Sequence, residues 1–166
     1  MTYDIYFGHP RADGDVIEST AVEPDEVDDE PRPVHLTAEQ RTVWDRIVHR
    51  AAEELGHVKT EEYPSGPLLR YEGPHGAFQI EYSGDSAYME IPYWFSGNGA
   101  LAVLAAAYHL GRIVEEESGM EGEDLQLGRR ITTGDPHPAA TQMGAITQWT
   151  RETLGLTPGP VAETGP

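Results

Sequence analysis

The residues of this chain that could perform chemistry do not fall into the spacings that chemistry requires. None of the seven histidines among the 166 residues belongs to a zinc motif such as His-Glu-x-x-His, which brings ligands together through one helical turn. The nearest arrangement is His49 with Glu53, an imidazole and a carboxylate on one helix face, and such pairs are common by chance on charged helices. His109 lies in an apolar segment, where a satisfied and partly buried histidine is a simpler interpretation than a metal ligand. We therefore predict no metal site.

Nucleophilic and phosphate chemistry lack support in the same way. The chain has no cysteine and no Gly-x-Ser-x-Gly elbow, so neither a reactive thiol nor an activated serine is indicated. Residues 97–99, Gly-Asn-Gly, precede a predicted helix without the lysine of a nucleotide-binding loop, and a turn with Asn98 as helix cap explains them. Residues 13–15 and 115–124 are rich in carboxylates but do not have the spacing of a calcium loop. The sequence predicts a protein that is not an enzyme and has no cofactor.

The distribution of charge is the most informative property of the chain. Of the formal net charge of −18, residues 12–33 carry −8 and residues 115–124 carry −6, which leaves −4 for all other residues. Either block would repel nucleic-acid phosphates, so we expect no direct binding to nucleic acid. The first residues do not resemble a signal peptide, and the longest apolar run, at 100–110, is too short to span a bilayer. A cytoplasmic protein that does not enter membranes is predicted.

Two periodicities in the sequence predict the elements that position these residues. Alternation of apolar and polar residues predicts strands at 3–7, 68–72, 78–82 and 87–93, with a further short strand at 124–132. Gly84-Asp85 is a two-residue turn that suits an antiparallel hairpin. Helical spacing predicts helices at 37–55, 100–117 and 138–154, the first opened by a capping box at Thr37 and Gln40.

These elements predict a two-layer α+β fold, in which an antiparallel β-meander carries three helices mainly on one face. Residues 1–154 form the single domain. Within it, the Pro-punctuated acidic segment 12–33 is expected to be a mobile loop, because it combines self-repelling charge with few apolar residues. Residues 155–166 are expected to be a disordered tail.

Two aromatic residues at the end of a predicted strand are candidates for partner binding. Tyr93 belongs to the inward series of its strand, so Trp94 should point the other way, with Phe95 following it. A second layer of the structure could cover Trp94. Otherwise it is an exposed aromatic anchor, the residue type that dominates interface hot spots.

A cluster of acids at the end of the second predicted helix is the other candidate. Acids at a helix C-terminus are mildly unfavourable, because that end carries partial negative charge. The cluster consists of Glu115, Glu116, Glu117, Glu121, Glu123 and Asp124. A solvated face explains such a cluster, and the alternative is that it binds a basic partner, whose association it would accelerate.

Two stretches of the chain carry a family resemblance. The opening residues 2–7, Thr-Tyr-Asp-Ile-Tyr-Phe, and residues 112–126 resemble small uncharacterised actinobacterial α+β proteins. Some of these are similar to immunity proteins encoded beside polymorphic toxins. In that group the second stretch often ends in a Tyr-Asp-Pro-Gln-like turn, whereas residues 123–126 here are Glu-Asp-Leu-Gln. The resemblance implies an inhibitory binding role and carries no catalytic residues across.

Three functional hypotheses follow from the sequence. The leading one is an acidic, non-catalytic protein-binding module, in one form an immunity-type inhibitor of a basic partner such as a nuclease toxin. The second is a small-molecule-binding protein or an enzyme with a pocket near Trp94 and His109. The third is a structural or assembly component, which would form a defined homo-oligomer.

Overall fold

A computed structural model describes residues 2–10, 33–92, 95–131 and 134–154. The predictions for the acidic segment up to residue 32, for Trp94 and for the tail at 155–166 lie outside the described residues. The elements, in chain order, are β1 (Thr2–Gly8), α1 (Ala38–Glu54), β2 (Val58–Tyr63), β3 (Gly66–Gly73), β4 (Gly76–Tyr82), β5 (Ser86–Pro92), α2 (Gly97–Ser118), β6 (Glu121–Asp124), β7 (Arg129–Arg130) and α3 (His137–Leu154). The predicted α+β class is confirmed.

The strands form one antiparallel sheet in the order β2-β3-β4-β5-β1-β6-β7. The predicted meander is β3-β4-β5, and β1 extends it by pairing with β5. Strand β2 was not predicted, because only Val58 and Tyr63 among its six residues are apolar and no alternation marks it.

The single strand expected at 124–132 is instead two short strands, β6 and β7, joined by a turn at residues 125–128. Asp124 produces this turn, since its Oδ1 accepts hydrogen bonds from the backbone N–H groups of Gln126 and Leu127 at 3.2 and 3.0 Å. Gly128 completes it at a positive φ of 59°.

Helix α1 begins where the sequence predicts, with both hydrogen bonds of the capping box between Thr37 and Gln40 in place. Helix α2 begins at Gly97, earlier than the predicted start at residue 100, and Asn98 is not its cap. The N-cap is Ser96, whose carbonyl oxygen accepts from the backbone N–H groups of Gly99 and Ala100. The turn proposed around Asn98 is therefore the first turn of the helix itself.

The core lies between the sheet and helices α1 and α2, and α3 packs against α2. The inward series of each central strand is buried, and the Trp44 ring of α1 stacks on Tyr82 of β4 with centroids 5.4 Å apart. The largest fully buried side chains are Tyr3, Ile5, Phe7, Ile47, Leu69, Ile80, Tyr82, Met89, Ile91, Leu104, Leu110 and Ile113. Because the helices cover one side of the sheet, the alternate residues of the same strands point to the opposite side.

Candidate functional site

The side of the sheet opposite the helices carries the most distinctive surface of the described chain. On β4, β5, β1 and β6, every second side chain points to this side. We call six of these residues the acidic face: Asp4, Tyr6, Glu81, Tyr88, Glu90 and Glu123.

The strand register places the acidic face in two adjacent rows. In one row Glu81 lies opposite Tyr88, Tyr88 opposite Tyr6, and Tyr6 opposite Glu123. In the next row Glu90 lies opposite Asp4. Directly opposed residues of an antiparallel pair have Cβ atoms roughly 4.5–5.5 Å apart, so these side chains are close neighbours. The result is a pair of tyrosines with carboxylates on either side.

No basic residue interrupts the acidic face on its four strands. All the charged residues of β1, β4, β5 and β6 are acids, and among them Asp124 alone is fully buried on the helix side. The Glu90 carboxylate accepts a hydrogen bond from Gln79 at 2.8 Å, and that of Asp4 accepts one from Thr2 at 2.7 Å. Within the described residues, no side-chain hydrogen bond or salt bridge reaches the carboxylates of Glu81 and Glu123, and the register sets Arg130 of β7 directly opposite Glu123. Glu81 has no cation opposite it, since its cross-strand neighbours are Leu68 and Tyr88.

Tyr88 stands at the centre of the face and is 38% exposed. Partial burial, followed by the negative charge of Asp4, raises the pKa of Tyr88 to about 12. A hydrogen bond from its hydroxyl to the Asp4 carboxylate contributes to this shift, so the hydroxyl and this acid form one polar unit on the face. An aromatic ring with a polar tip is the kind of side chain that is enriched at protein interfaces.

A groove of about 270 Å³ adjoins the acidic face at the end of β5. Thr2, Arg70, Gln79, Glu90 and Pro92 contribute to its lining. Arg70 is half-buried at one side, where it lies 3.6 Å from Glu61, while Glu90 lies at the other. The groove has room for a long side chain, which would lie between the guanidinium of Arg70 and the carboxylate of Glu90.

The three acids predicted as a binding cluster at the end of α2 are largely occupied by contacts within the chain. Arg50 of α1 bonds to Glu116 at 2.8 Å and to Glu117 at 3.0 Å, and Arg46 bonds to Glu117 at 2.9 Å. The hydrogen bond from Arg50 lowers the pKa of Glu117. Glu115 is half-buried and accepts a hydrogen bond from the backbone N–H of Gly122 at 2.7 Å, and its burial raises its pKa. The unfavourable placement at a helix C-terminus is thus offset by arginines of the neighbouring helix.

Asp124, another of the predicted binding residues, is fully buried. Its Oδ2 accepts hydrogen bonds from the hydroxyls of Tyr3 and Tyr108, each at 2.6 Å. Burial, together with this bond to Asp124, raises the pKa of Tyr108 well above the ordinary tyrosine value. The carboxylate joins β6 to β1 and α2 and has no surface to offer a partner.

The remaining predicted binding residues are divided between the surface and the interior. Glu123 belongs to the acidic face, and Glu121 at the start of β6 pairs with Arg130 at 2.8 Å. Phe95 packs against the core, and its carbonyl oxygen accepts a hydrogen bond from Thr147 of α3 at 3.0 Å. Of the predicted residues that the structure describes, Glu121 and Glu123 point to the outer side of the sheet, and Glu123 belongs to the acidic face.

The tyrosines of the face and an exposed tryptophan are site candidates that were not predicted from the sequence. Tyr6, Tyr88 and their acidic neighbours occupy the polar positions of the strands that alternation predicts. The alternation therefore already indicated that these side chains share one side of the sheet. Trp149 of α3 is 60% exposed and lies on the helix side of the sheet, away from the acidic face.

His109 lines a separate cleft of about 220 Å³ between α1 and α2. Its Nε2 lies 2.7 Å from Glu54, and this hydrogen bond, with one from Arg50, lowers the pKa of Glu54. A histidine oriented by a carboxylate can act as a base, but the residues that line the cleft include no hydroxyl or thiol for it to activate. Among the described residues, no three potential metal ligands come together, and no helix is long and apolar enough to cross a membrane.

Comparisons with known proteins found no match: no family model, no curated protein and no solved structure is significantly similar to this chain.

Proposed function

We propose that this protein is a non-catalytic module that binds a positively charged protein through the acidic face. The observation that carries the proposal is the charge of that face: Glu81 and Glu123 flank a tyrosine pair on strands whose charged residues are all acids. An immunity-type inhibitor of a basic toxin is the form of this function that the sequence resemblance suggests.

The chemistry of the face supports recognition of lysine and arginine side chains. Tyr6 and Tyr88 supply aromatic surface for a cation, and the carboxylates supply charge-assisted hydrogen bonds. The partner that fits is a protein whose own surface presents several arginines or lysines, and the net charge of −18 would accelerate its association.

The second functional hypothesis, a small-molecule site near His109, is supported by one observation, the His109–Glu54 pair in its cleft. The cleft offers this pair no nucleophile, and the further carboxylate in its lining, Glu116, is bound to Arg50. The acidic face is therefore the better supported site.

The test is affinity capture from a lysate of the source organism with three baits of this protein. The first is the wild type, the second is Glu81→Gln with Glu123→Gln, and the third is Glu53→Gln with Glu116→Gln. Both double variants lose the same charge, but Glu53 and Glu116 are exposed on the helices and lie outside the acidic face. Bound proteins are eluted by a step to high salt and identified by mass spectrometry.

We expect a basic protein that the wild type and the helix variant retain and that the face variant retains several-fold less. Equal retention by all three baits would mean that net charge alone attracts the captured protein, and would contradict binding through the face. If no basic protein is retained by the wild type, the proposed function is wrong.

A further inference from the structure

Strand β2 forms one edge of the sheet. Its pairing with β3 shows which of its residues direct their backbone N–H and C=O groups toward β3 and which direct them to the open edge. Glu62 lies opposite Pro67, which has no N–H group. This pair cannot exchange backbone hydrogen bonds, so the N–H and C=O of Glu62 point to the open edge, away from β3. Because hydrogen-bonded and non-hydrogen-bonded pairs alternate in an antiparallel ladder, the backbone N–H and C=O groups of Val58 and Thr60 also point to the open edge. His57, one residue before Val58, should therefore direct its backbone groups toward β3. In agreement, its carbonyl oxygen accepts a hydrogen bond from the backbone N–H of Glu72 at 2.9 Å.

The open edge of β2 is unpaired along its length in the described part of the chain. The backbone N–H of Val34 bonds to the carbonyl of Pro64 beyond the end of the strand, and no described residue bonds to the outward groups of Val58, Thr60 or Glu62. An unpaired edge invites another strand, and proteins commonly block it with charged residues. Here the charges alternate in sign, since Lys59 is followed by Glu61 on the same side of the sheet.

This alternation selects one register for pairing between two copies of β2. In an antiparallel pair centred on Thr60, each Thr60 faces its equivalent, and Lys59 of each copy faces Glu61 of the other. The outward-pointing residues then meet each other: Val58 faces Glu62, Thr60 faces Thr60, and Glu62 faces Val58. These are hydrogen-bonded pairs, which exchange about six backbone bonds in all. Lys59 and Glu61 fall in the non-hydrogen-bonded pairs, where opposed side chains are closest.

The neighbouring registers that keep the backbone groups matched are both unfavourable. A shift in one direction sets Lys59 against Lys59, and a shift in the other sets Glu61 against Glu61. Each shift also shortens the paired segment. Charge and hydrogen bonding therefore agree on a single alignment.

We infer that β2 is a homodimerisation edge, through which two copies of this chain join their sheets about a two-fold axis at Thr60. The axis is perpendicular to the sheet, so the helices of both copies lie on one side and both acidic faces lie on the other. Within each chain Lys59 bonds to Glu72 at 2.6 Å on the same outer side of the sheet. In the dimer its ammonium group lies between Glu72 and the Glu61 of the second copy, and its three donors can serve both.

The test is sedimentation velocity of the full chain from micromolar to millimolar concentration, with charge-swap variants. Lys59→Glu alone sets carboxylates against each other at both symmetric contacts, and Glu61→Lys alone sets ammonium groups against each other. Each single variant should raise the dimer dissociation constant by roughly ten- to thirty-fold, because a pairwise attraction becomes a repulsion twice over. The double variant with both substitutions restores opposite charges and should return close to the wild-type dissociation constant.

Thr60→Pro tests the backbone bonds without disturbing the fold. The N–H of Thr60 points to the open edge, so proline there removes one bond of the dimer from each copy, two in all, and none of the β2–β3 ladder. Edge strands accept proline at such positions. We expect a folded monomer, with the fold checked by circular dichroism. Glu72→Gln is the matched control: it removes the partner of Lys59 within the chain and should leave the dimer intact.

A wild type that stays monomeric at every concentration would overturn the inference. A dimer that survives Thr60→Pro would show that another surface holds it together. Failure of the double swap to restore a dimer weakened by both single swaps would refute the register. Since none of these outcomes depends on a basic partner, they are independent of the proposed function.

Discussion

Removal of the Asp124 carboxylate should destabilise the whole domain and is not expected to act at a binding surface. The carboxylate is fully buried and accepts hydrogen bonds from Tyr3, from Tyr108 and from the backbone N–H groups of Gln126 and Leu127. Asp124→Ala withdraws the shared acceptor from all of them. A buried donor that loses its partner costs about 1–3 kcal/mol, so we expect a loss of about 3–5 kcal/mol in the free energy of unfolding. That is a large part of the roughly 5–15 kcal/mol that holds a domain folded.

Tyr108→Phe is the milder form of the same perturbation. It removes one hydrogen bond to a charged acceptor, which contributes about 1.5–3 kcal/mol, and leaves the carboxylate its other donors. For a domain of this size the free energy of unfolding falls by about 2 kcal/mol for each molar increase in urea. The urea concentration at the unfolding midpoint should therefore fall by about 1 M.

The assay is urea unfolding followed by circular dichroism, with Asp45→Ala as control because Asp45 is an exposed acid of α1. The control should change the free energy of unfolding by less than about 0.5 kcal/mol. If Asp124→Ala were no more destabilising than Asp45→Ala, the carboxylate would not bind the tyrosines as described, and the assignment of Asp124 to the structure would be wrong.

Three further perturbations test other contacts of the fold. Glu115→Gln should stabilise the protein at neutral pH, because burial raises the pKa of Glu115 and penalises its ionised form, and the gain over wild type should vanish as the pH falls below about 4.5 in pH-dependent thermal unfolding. Gly122→Ala should destabilise by roughly 1–3 kcal/mol in the same assay, since its Cβ would lie 2.7 Å from Phe7 and Ile131. Arg50→Ala should lower the melting temperature more at low than at high salt, because exposed ion pairs are screened. Since Arg50 lowers the pKa of Glu117 below the ordinary 4.5, that stabilisation is present above this pH and is lost as the pH falls through the lowered pKa.

The sequence predicts the fold best where local rules decide it. The alternation in β4 and β5, the turn between them and the capping box of α1 are each specified by neighbouring residues, and all are present in the structure. Strand β2 was missed because an edge strand under little burial needs few apolar residues. Helix α2 starts early because backbone bonds to Ser96 initiate it, which residue preferences do not reveal.

The candidate site could be predicted only in part, because long-range contacts decide which acids remain available. Glu116 and Glu117 look unpaired in the sequence, yet Arg50 lies 66 and 67 residues away along the chain and binds both. Asp124 looks like one more acid of a cluster, and its burial follows from the two tyrosines that converge on it. Glu123, only one residue earlier, points to the opposite side of the sheet. Strand parity separates these two neighbours, and it requires the boundaries of β6, which the sequence does not supply.

The most direct test of the acidic face is oxidative side-chain labelling of the protein, free and bound to its captured partner. Tyr88 is 38% exposed and Trp149 is 60% exposed, so hydroxyl radicals should label both in the free protein. We predict that the partner protects Tyr88 several-fold and leaves Trp149 on α3 unchanged. Labelling of Tyr88 that is the same in the free and bound protein, with protection of Trp149 instead, would place the partner on the helix side and contradict the account.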